Sequence, residues 1–367
     1  MKKSTKFGAT LLTATLLVGL AACGGGKGPA KDGDKKDGGK KDAEHSVAIV
    51  TDIGGIDDKS FNQSAWEGLT EWGKENKLEK GAGGYDYVQS NDASEYTTNI
   101  DQAVQSGFKT VFGIGYLLTD AVRAAAEANP DNNFGLVDAV IDDQKNVVSA
   151  TFKDNEASYL AGYAAAYTTK TDKVGFVGGE EGPVIDRFEA GFVKGVNDAA
   201  KDLKKDIKID VKYAASFGDP AKGKALAAKI YQDGADVIFH ASGGTGTGVF
   251  QEAKNLNEKK AEDDKVWVIG VDRDQTEDGN YKNKDGKESN LTLTSTIKGV
   301  GTAVKDIAEQ AKKDKFPGGK HLIYGLKDGG VDLAPGNMTD EVKAAVEKAR
   351  EKVVNGDVEV PETPEKK

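Results

Sequence analysis

The chain has 367 residues, with 60 acidic against 50 basic side chains, three histidines and a single cysteine. One cysteine excludes a disulfide framework and any zinc site built on thiolates. A formal charge of −10 argues against a phosphate-backbone binder, and the length fits two ordinary domains or one large α/β domain.

Lys2, Lys3 and Lys6 precede a mostly apolar or small run from Phe7 to Leu20. That run is too short for a comfortable membrane span and is ordered like a secretory signal peptide. It ends in Leu20-Ala21-Ala22-Cys23, which resembles the lipobox of bacterial lipoproteins. The resemblance implies removal of residues 1–22 and a diacylglycerol on the Cys23 sulfur, usually with an acyl group on its amine. The plainer alternative is a free thiol beside an ordinary cleavage site. Two or more acyl chains hold a protein on a membrane where one does not, since each buried CH₂ contributes about 0.8 kcal/mol. Residues 24–45 contain no Val, Ile, Leu or aromatic side chain and read as a solvated tether. With leader and tether set aside, both net positive, the folded part is more acidic than the whole chain.

From Ser46 onward, short β-rich runs alternate with longer helical stretches. Strands are expected at Val47–Asp52, Tyr85–Gln89, Thr110–Ile114, Asn133–Val137 and Val147–Phe152, with a second series at Val174–Val177, Ile207–Ala214, Asp236–His240 and Val266–Val271. Helices are expected at Ser60–Asn76, Ser94–Ser106, Asp120–Ala128, Val184–Leu203 and Pro220–Gln232. Phe61, Ala65, Leu69 and Trp72 recur at helical spacing. Ser60-Phe61-Asn62-Gln63 has the pattern of a capping box, and Asp219-Pro220 that of an N-cap followed by Pro at the first helical position. Strands separated by helices of this length imply right-handed crossovers and parallel sheets. Two such series predict two similar lobes, and ligands of open parallel sheets lie beyond the carboxyl ends of the strands. Asp52 and Asp272 stand at two such ends, so a cleft between lobes is the expected site.

Several motifs come close to known chemistry. Gly218–Ala225 has the spacing of a phosphate-binding P-loop, but Ala225 replaces the Ser or Thr that holds Mg²⁺. Gly243-Gly244-Thr245-Gly246-Thr247-Gly248 follows a strand, but Val249 stands where a dinucleotide loop has its third glycine. Asp52-Ile53-Gly54-Gly55-Ile56-Asp57-Asp58 resembles the aspartate cluster of nucleoside hydrolases, with Val50 in place of one aspartate and one residue too many before the Asp pair. Calcium needs six to eight oxygens, which this loop alone does not supply. Asp57 and Asp58 fit better as acidic groups before a helix N-terminus. His240 ends an apolar strand and reads as a core histidine, and no catalytic apparatus is visible. Phe61 and Phe217, taken with Asp52, Asp138 and Asp272, instead combine aromatic faces with carboxylates. That combination suits a flat ring carrying a diol, which is a nucleoside.

The blocks AIVTDIGGIDDKSFNQSAWEG, GFVGG, RFEAGF, YAASFGDPAKGK, SGGTGTGVF and VWVIGVDRDQ resemble those of the basic-membrane-protein (BMP/PnrA-type) lipoproteins, which include nucleoside-binding lipoproteins of ABC transporters. The likeness runs from about Val47 to the C-terminal helix. It implies an α/β, type I periplasmic-binding-protein fold: two Rossmann-like lobes joined by three crossovers, with a ligand cleft between them. The implied lobes are residues 46–155 with 291–316, and 156–290 with 317–367. By position, Phe61 and Phe217 match the pair that sandwiches the base. Asp52, Asn62 and Asp138 match base contacts, while Gly244 (or its neighbours Gly243 and Gly246), Asp272 and Lys298 match ribose contacts. The implied function is extracytoplasmic capture of purine or other nucleosides, with hinge closure and delivery to an ABC permease and its ATPase. No cofactor, metal or nucleic acid is implied, and the expected state is a monomer held by its lipid on the outer face of the cell membrane, with a Gram-positive surface favoured. The other readings are a sugar or signal receptor of the same fold and a Ca²⁺-dependent nucleoside hydrolase.

Overall fold

The computed structural model describes residues 45–365, which form one compact unit. The expected signal peptide, Cys23 lipidation and nearly all of the tether lie outside the described residues. The first series runs β1 (Val47–Thr51), α1 (Phe61–Glu75), β2 (Tyr85–Val88), α2 (Tyr96–Gln105), β3 (Thr110–Ile114), α3 (Thr119–Ala128), β4 (Asn133–Val137) and β5 (Val147–Phe152). The second runs α4 (Asp154–Thr168), β6 (Lys173–Gly178), α5 (Pro183–Leu203), β7 (Lys208–Tyr213), α6 (Pro220–Gln232), β8 (Val237–Ala241), α7 (Gly246–Asn257) and β9 (Trp267–Gly270). A hairpin of β10 (Asn280–Lys282) and β11 (Glu288–Asn290) then leads to β12 (Thr292–Lys298), α8 (Val300–Lys312), β13 (His321–Tyr324), β14 (Val331–Leu333) and α9 (Asp340–Val354).

Two six-stranded sheets result. The first has the order β13-β5-β4-β3-β1-β2 and is parallel throughout. The second, β14-β12-β9-β8-β6-β7, is parallel except for β14 at its edge. β1 shows why its run is continuously apolar. Val47 and Ile49 face one side with Leu69 and Trp72 of α1, while Ala48 and Val50 face the other with Ile100 of α2 and Val122 of α3. A strand covered on both faces needs apolar residues at every position. In the second sheet, Phe176 and Phe239 pack against Phe192 of α5, and Ile238 and Val268 face Ile230 of α6 and Val249 of α7.

The lobe boundaries implied by resemblance need correction. β12, expected in the first lobe, pairs with β9 in the second sheet, because it returns along the open edge of β9 directly after the hairpin. β13, expected in the second lobe, pairs with β5 and covers an edge that would otherwise stay exposed. The described chain thus crosses between sheets after Phe152, after Lys298 and between Tyr324 and Val331. These passages are tied together: Lys153 N–H donates to the Tyr324 carbonyl at 2.8 Å, and Gly299 N–H to that of Gly330 at 2.9 Å.

Candidate functional site

The carboxyl ends of both sheets meet across a cavity of about 520 Å³ of unfilled space, part of it open to solvent. Seven expected residues line it: Asp52, Phe61, Asn62, Asp138, Phe217, Asp272 and Lys298. Gly244 does not; its neighbour Gly243 does, with Gly244 stacked behind it near the Phe217 carbonyl. Asp52 follows β1, Asp138 follows β4 and Asp272 follows β9, so strand-end placement brings three carboxylates together. Asp138 and Asp272 both adopt left-handed backbone, φ 70° and 69°, which aspartate tolerates better than most residues.

α1 begins at the rim, and its entry differs from the expected capping box. The Ser60 side chain makes no capping bond; its hydroxyl donates to Asp272 in the other lobe. Asp58 caps the helix instead. Its Oδ1 accepts N–H from Ser60 and Gln63, and its Oδ2 accepts the N–H and the amide of Asn62. The same Asn62 amide donates to Asp52 Oδ1 at 2.6 Å, where Gly54 N–H also donates at 3.0 Å. Phe61, the first residue of α1, is thereby set on one wall, while the Phe217 ring enters from the turn between β7 and α6. A Cβ on Gly179 would fall 2.3 Å from that ring, so glycine there makes room for it.

Lys298, the last residue of β12, sits between Asp138 at 2.6 Å and Asp154 at 3.1 Å. Arg187 holds the other Asp154 oxygen at 3.2 Å. Burial works against the Lys298 charge, but Asp138, Asp154 and Asp272 outweigh it and hold its pKa above the ordinary lysine value. Burial pushes Asp272 up to about 7 and Asp52 up to about 6, despite the hydrogen bonds each accepts. Asn62 Oδ1 and Asp138 Oδ1 are buried and have no hydrogen-bond partner among the described residues. The wall therefore offers two aromatic faces, acceptor atoms in excess and a lysine already engaged by protein carboxylates.

The near-miss motifs resolve into packing and capping. Asp219 caps α6 through Lys222 N–H at 3.0 Å, and Gly223 lies inside that helix, where a Cβ would strike the Thr245 carbonyl. Gly248 likewise lets α7 approach the Pro220 carbonyl, and Gly246 clears space for the His240 ring. In the aspartate cluster, Asp57 is exposed, both Asp58 oxygens accept from protein N–H groups, and Asp52 Oδ1 accepts from Gly54 and Asn62. This donor set does not fit a calcium site, and among the described residues no other acidic, His or Cys group is gathered to hold a metal. His240 is fully buried, as expected of a core histidine.

Sequence reasoning missed Asp58, Tyr116, Phe188 and Ser242, which also line the cavity. Tyr116 and Ser242 follow the ends of β3 and β8, so the strand-end rule applied to every strand finds both. Phe188 comes from the first turns of α5 and carries no such signal.

A family described as "Bmp: ABC transporter substrate-binding protein PnrA-like" matches residues 45–364. The chain is 58% identical over 314 residues to the ABC transporter nucleoside-binding protein BmpA of Lactococcus lactis subsp. cremoris, a match covering 86% of this chain and 88% of that protein. It is 50% identical over 366 residues to a CD4+ T-cell-stimulating antigen of Listeria monocytogenes, covering 99% and 100%. Among solved structures, an ABC transporter system solute-binding protein from Aeropyrum pernix K1 matches with a TM-score of 0.74 at 23% identity, covering 88% of this chain and 94% of that one. The architecture is that of a type I periplasmic binding protein.

Proposed function

The chain belongs to the Bmp family of PnrA-like ABC transporter substrate-binding proteins, and from that premise we propose that its interlobe cleft binds a nucleoside for import. The observation that carries this reading is one cavity lined by Phe61, Phe217 and a surplus of buried acceptors. Stacking a purine between the two rings contributes roughly 1–3 kcal/mol per stacked base. Asp52, Asn62 and Asp138 accept from the base, and Asp272, with Lys298 and the Gly243–Gly244 turn, holds the ribose. Hydrogen bonds to charged partners contribute about 1.5–3 kcal/mol each. Asp138 and Asp154 already engage Lys298, Asp154 engages Arg187, and Asp52, Asp58 and Asp272 also line the cavity, so a phosphate meets repulsion at short range and a neutral nucleoside does not. The name of the Lactococcus relative supports the same ligand class.

The protein closes on its ligand and releases it unchanged: Asp58, which matches the Asp pair of the hydrolase-like cluster, has both oxygens occupied by backbone and amide N–H groups. We place it on the outer face of the membrane through a lipid on Cys23, working as a monomer with an ABC permease and its ATPase. Among the described residues no helix is long and apolar enough to cross a membrane. Native mass spectrometry of freshly purified protein tests the ligand class. A bound mass equal to a nucleoside is expected, and a free sugar or a nucleotide in its place contradicts the reading.

A further inference from the structure

Two adjacent first-lobe residues, Lys59 and Ser60, meet the second lobe beside the cavity. Ser60 Oγ donates to Asp272 Oδ2, and Gln275 Nε2 donates to the Lys59 carbonyl at 2.9 Å. Gln275 is 2% exposed, and its remaining polar atoms are committed inside its own lobe. Its Oε1 accepts Val271 N–H at 2.8 Å and His240 Nε2–H at 3.0 Å, and its own N–H donates to Ser295 Oγ at 3.1 Å. An oxygen that accepts two N–H groups fixes the amide's orientation, so its NH₂ end must face Lys59.

The same bonds fix the histidine. With Nε2 donating, Nδ1 is the acceptor, and Ser242 Oγ lies 3.3 Å from it on the cavity wall. Burial lowers the His240 pKa to about 4, so the ring is neutral at physiological pH. Two glycines clear space for this chain of contacts. A Cβ on Gly246 would lie 2.1 Å from the imidazole, and one on Gly270 2.5 Å from Gln275 Oε1. Lys59 holds left-handed backbone, φ 61°, a strained choice for a lysine. By contrast, the Arg273–Glu67 pair across the rim, at 3.1 Å, is solvated and contributes little.

We propose that Gln275, oriented by His240, is a positioning residue: it fastens the second lobe to the Lys59 carbonyl and, with the Ser60–Asp272 pair, forms a two-point clasp that sets how long the cleft stays shut on its ligand. His240 thus has a role beyond filling the core. The hydrogen-bond chain runs from Ser242 on the cavity wall to the junction between lobes, so the same residues that face the ligand hold the closure.

The residence-time role presupposes the nucleoside reading, whereas the clasp itself can be tested without ligand. Residues 45–365 form one compact unit, and the chain from Asp42 onward serves as the soluble protein. Gln275→Glu keeps the acceptor toward Val271 and His240 but sets an oxygen against the Lys59 carbonyl. Stopped-flow binding of adenosine and guanosine is expected to show koff raised about tenfold with kon unchanged, alongside a lower melting temperature because the new carboxylate is buried without a cation. Ser60→Ala, which removes no helix cap, is expected to raise koff in the same direction. Small-angle scattering of the ligand-free proteins is expected to give a larger radius of gyration for Gln275→Glu than for wild type. An unchanged koff in both variants, or an unchanged radius of gyration, overturns the clasp. If wild type binds no nucleoside, the ligand reading fails and the scattering comparison alone decides the clasp.

Discussion

Replacing Lys298 with methionine keeps most of the side chain's length and removes the ammonium wedged between Asp138 and Asp154. The lysine and both carboxylates are nearly inaccessible, with side-chain exposures of 3%, 4% and 0%. Deleting one partner of a buried pair costs about 3–5 kcal/mol, because the remaining charge is left uncompensated. Arg187 still holds Asp154, so most of the penalty falls on Asp138, whose Oδ1 already lacks a partner. For a folded part of this size that loss lowers the melting temperature by roughly 4–8 °C. Without the lysine, burial holds the Asp138 pKa above its unfolded value, so the native variant binds more protons than the unfolded one. The stability lost at neutral pH therefore returns as pH falls through the folded pKa. Urea unfolding of wild type and variant at about pH 7.5 and about pH 5 measures both effects. A loss below about 1 kcal/mol at the higher pH, or one that does not shrink on acidification, refutes the buried-pair account.

Asp272 at about 7 and Asp52 at about 6 predict that ligand donors bind the ionised carboxylates. Nucleoside affinity should then weaken about twentyfold between about pH 8 and about pH 6, and a flat profile in calorimetry counts against both contacts. In the ligand-free protein these raised pKa values contribute stability that is present below the unfolded carboxylate range and lost as pH rises through 6 to 7; thermal melts that rise instead over that window contradict the assignment. Phe217→Ala should weaken nucleoside binding by roughly 1–3 kcal/mol in calorimetry while leaving the melting temperature close to wild type, because the ring is only partly buried. Asp58→Ala should cost about 2 kcal/mol in urea unfolding, since it strips the N-terminus of α1 of its cap, whereas Ser60→Ala should leave that helix intact.

Strands covered on both faces were readable because β1, β3, β8 and β9 are short apolar runs bounded by turns. α4 was not, although it is regular, because Ala157, Leu160, Ala161, Ala164 and their neighbours are buried nearly all round and leave no polar stripe. β12 carries four hydroxyl side chains among its seven residues, which hide a strand buried at all but Ile297 behind a polar composition. Thr294 Oγ1 meets the Ala334 carbonyl at 2.6 Å, a satisfaction that only tertiary structure reveals. β13 and β14 are too short to announce themselves, so the second and third crossings were misplaced.

At the site, the strand-end aspartates and both phenylalanines were legible from position and residue type. The cap was misread because Ser60 has the right residue type at the right spacing, yet its hydroxyl is taken by a carboxylate 212 residues away. Gln275 and His240 gave no sequence signal of a shared role. Their partnership depends on a strand end, a turn and the opposite lobe arriving at one point.

Isothermal titration of the soluble protein with adenosine, guanosine and inosine, alongside free ribose and free adenine, tests the nucleoside reading most directly. The account predicts saturable one-to-one binding of at least one intact nucleoside, with neither ribose nor the base alone matching it. Binding of ribose with indifference to the attached base, or no heat with any nucleoside, contradicts it.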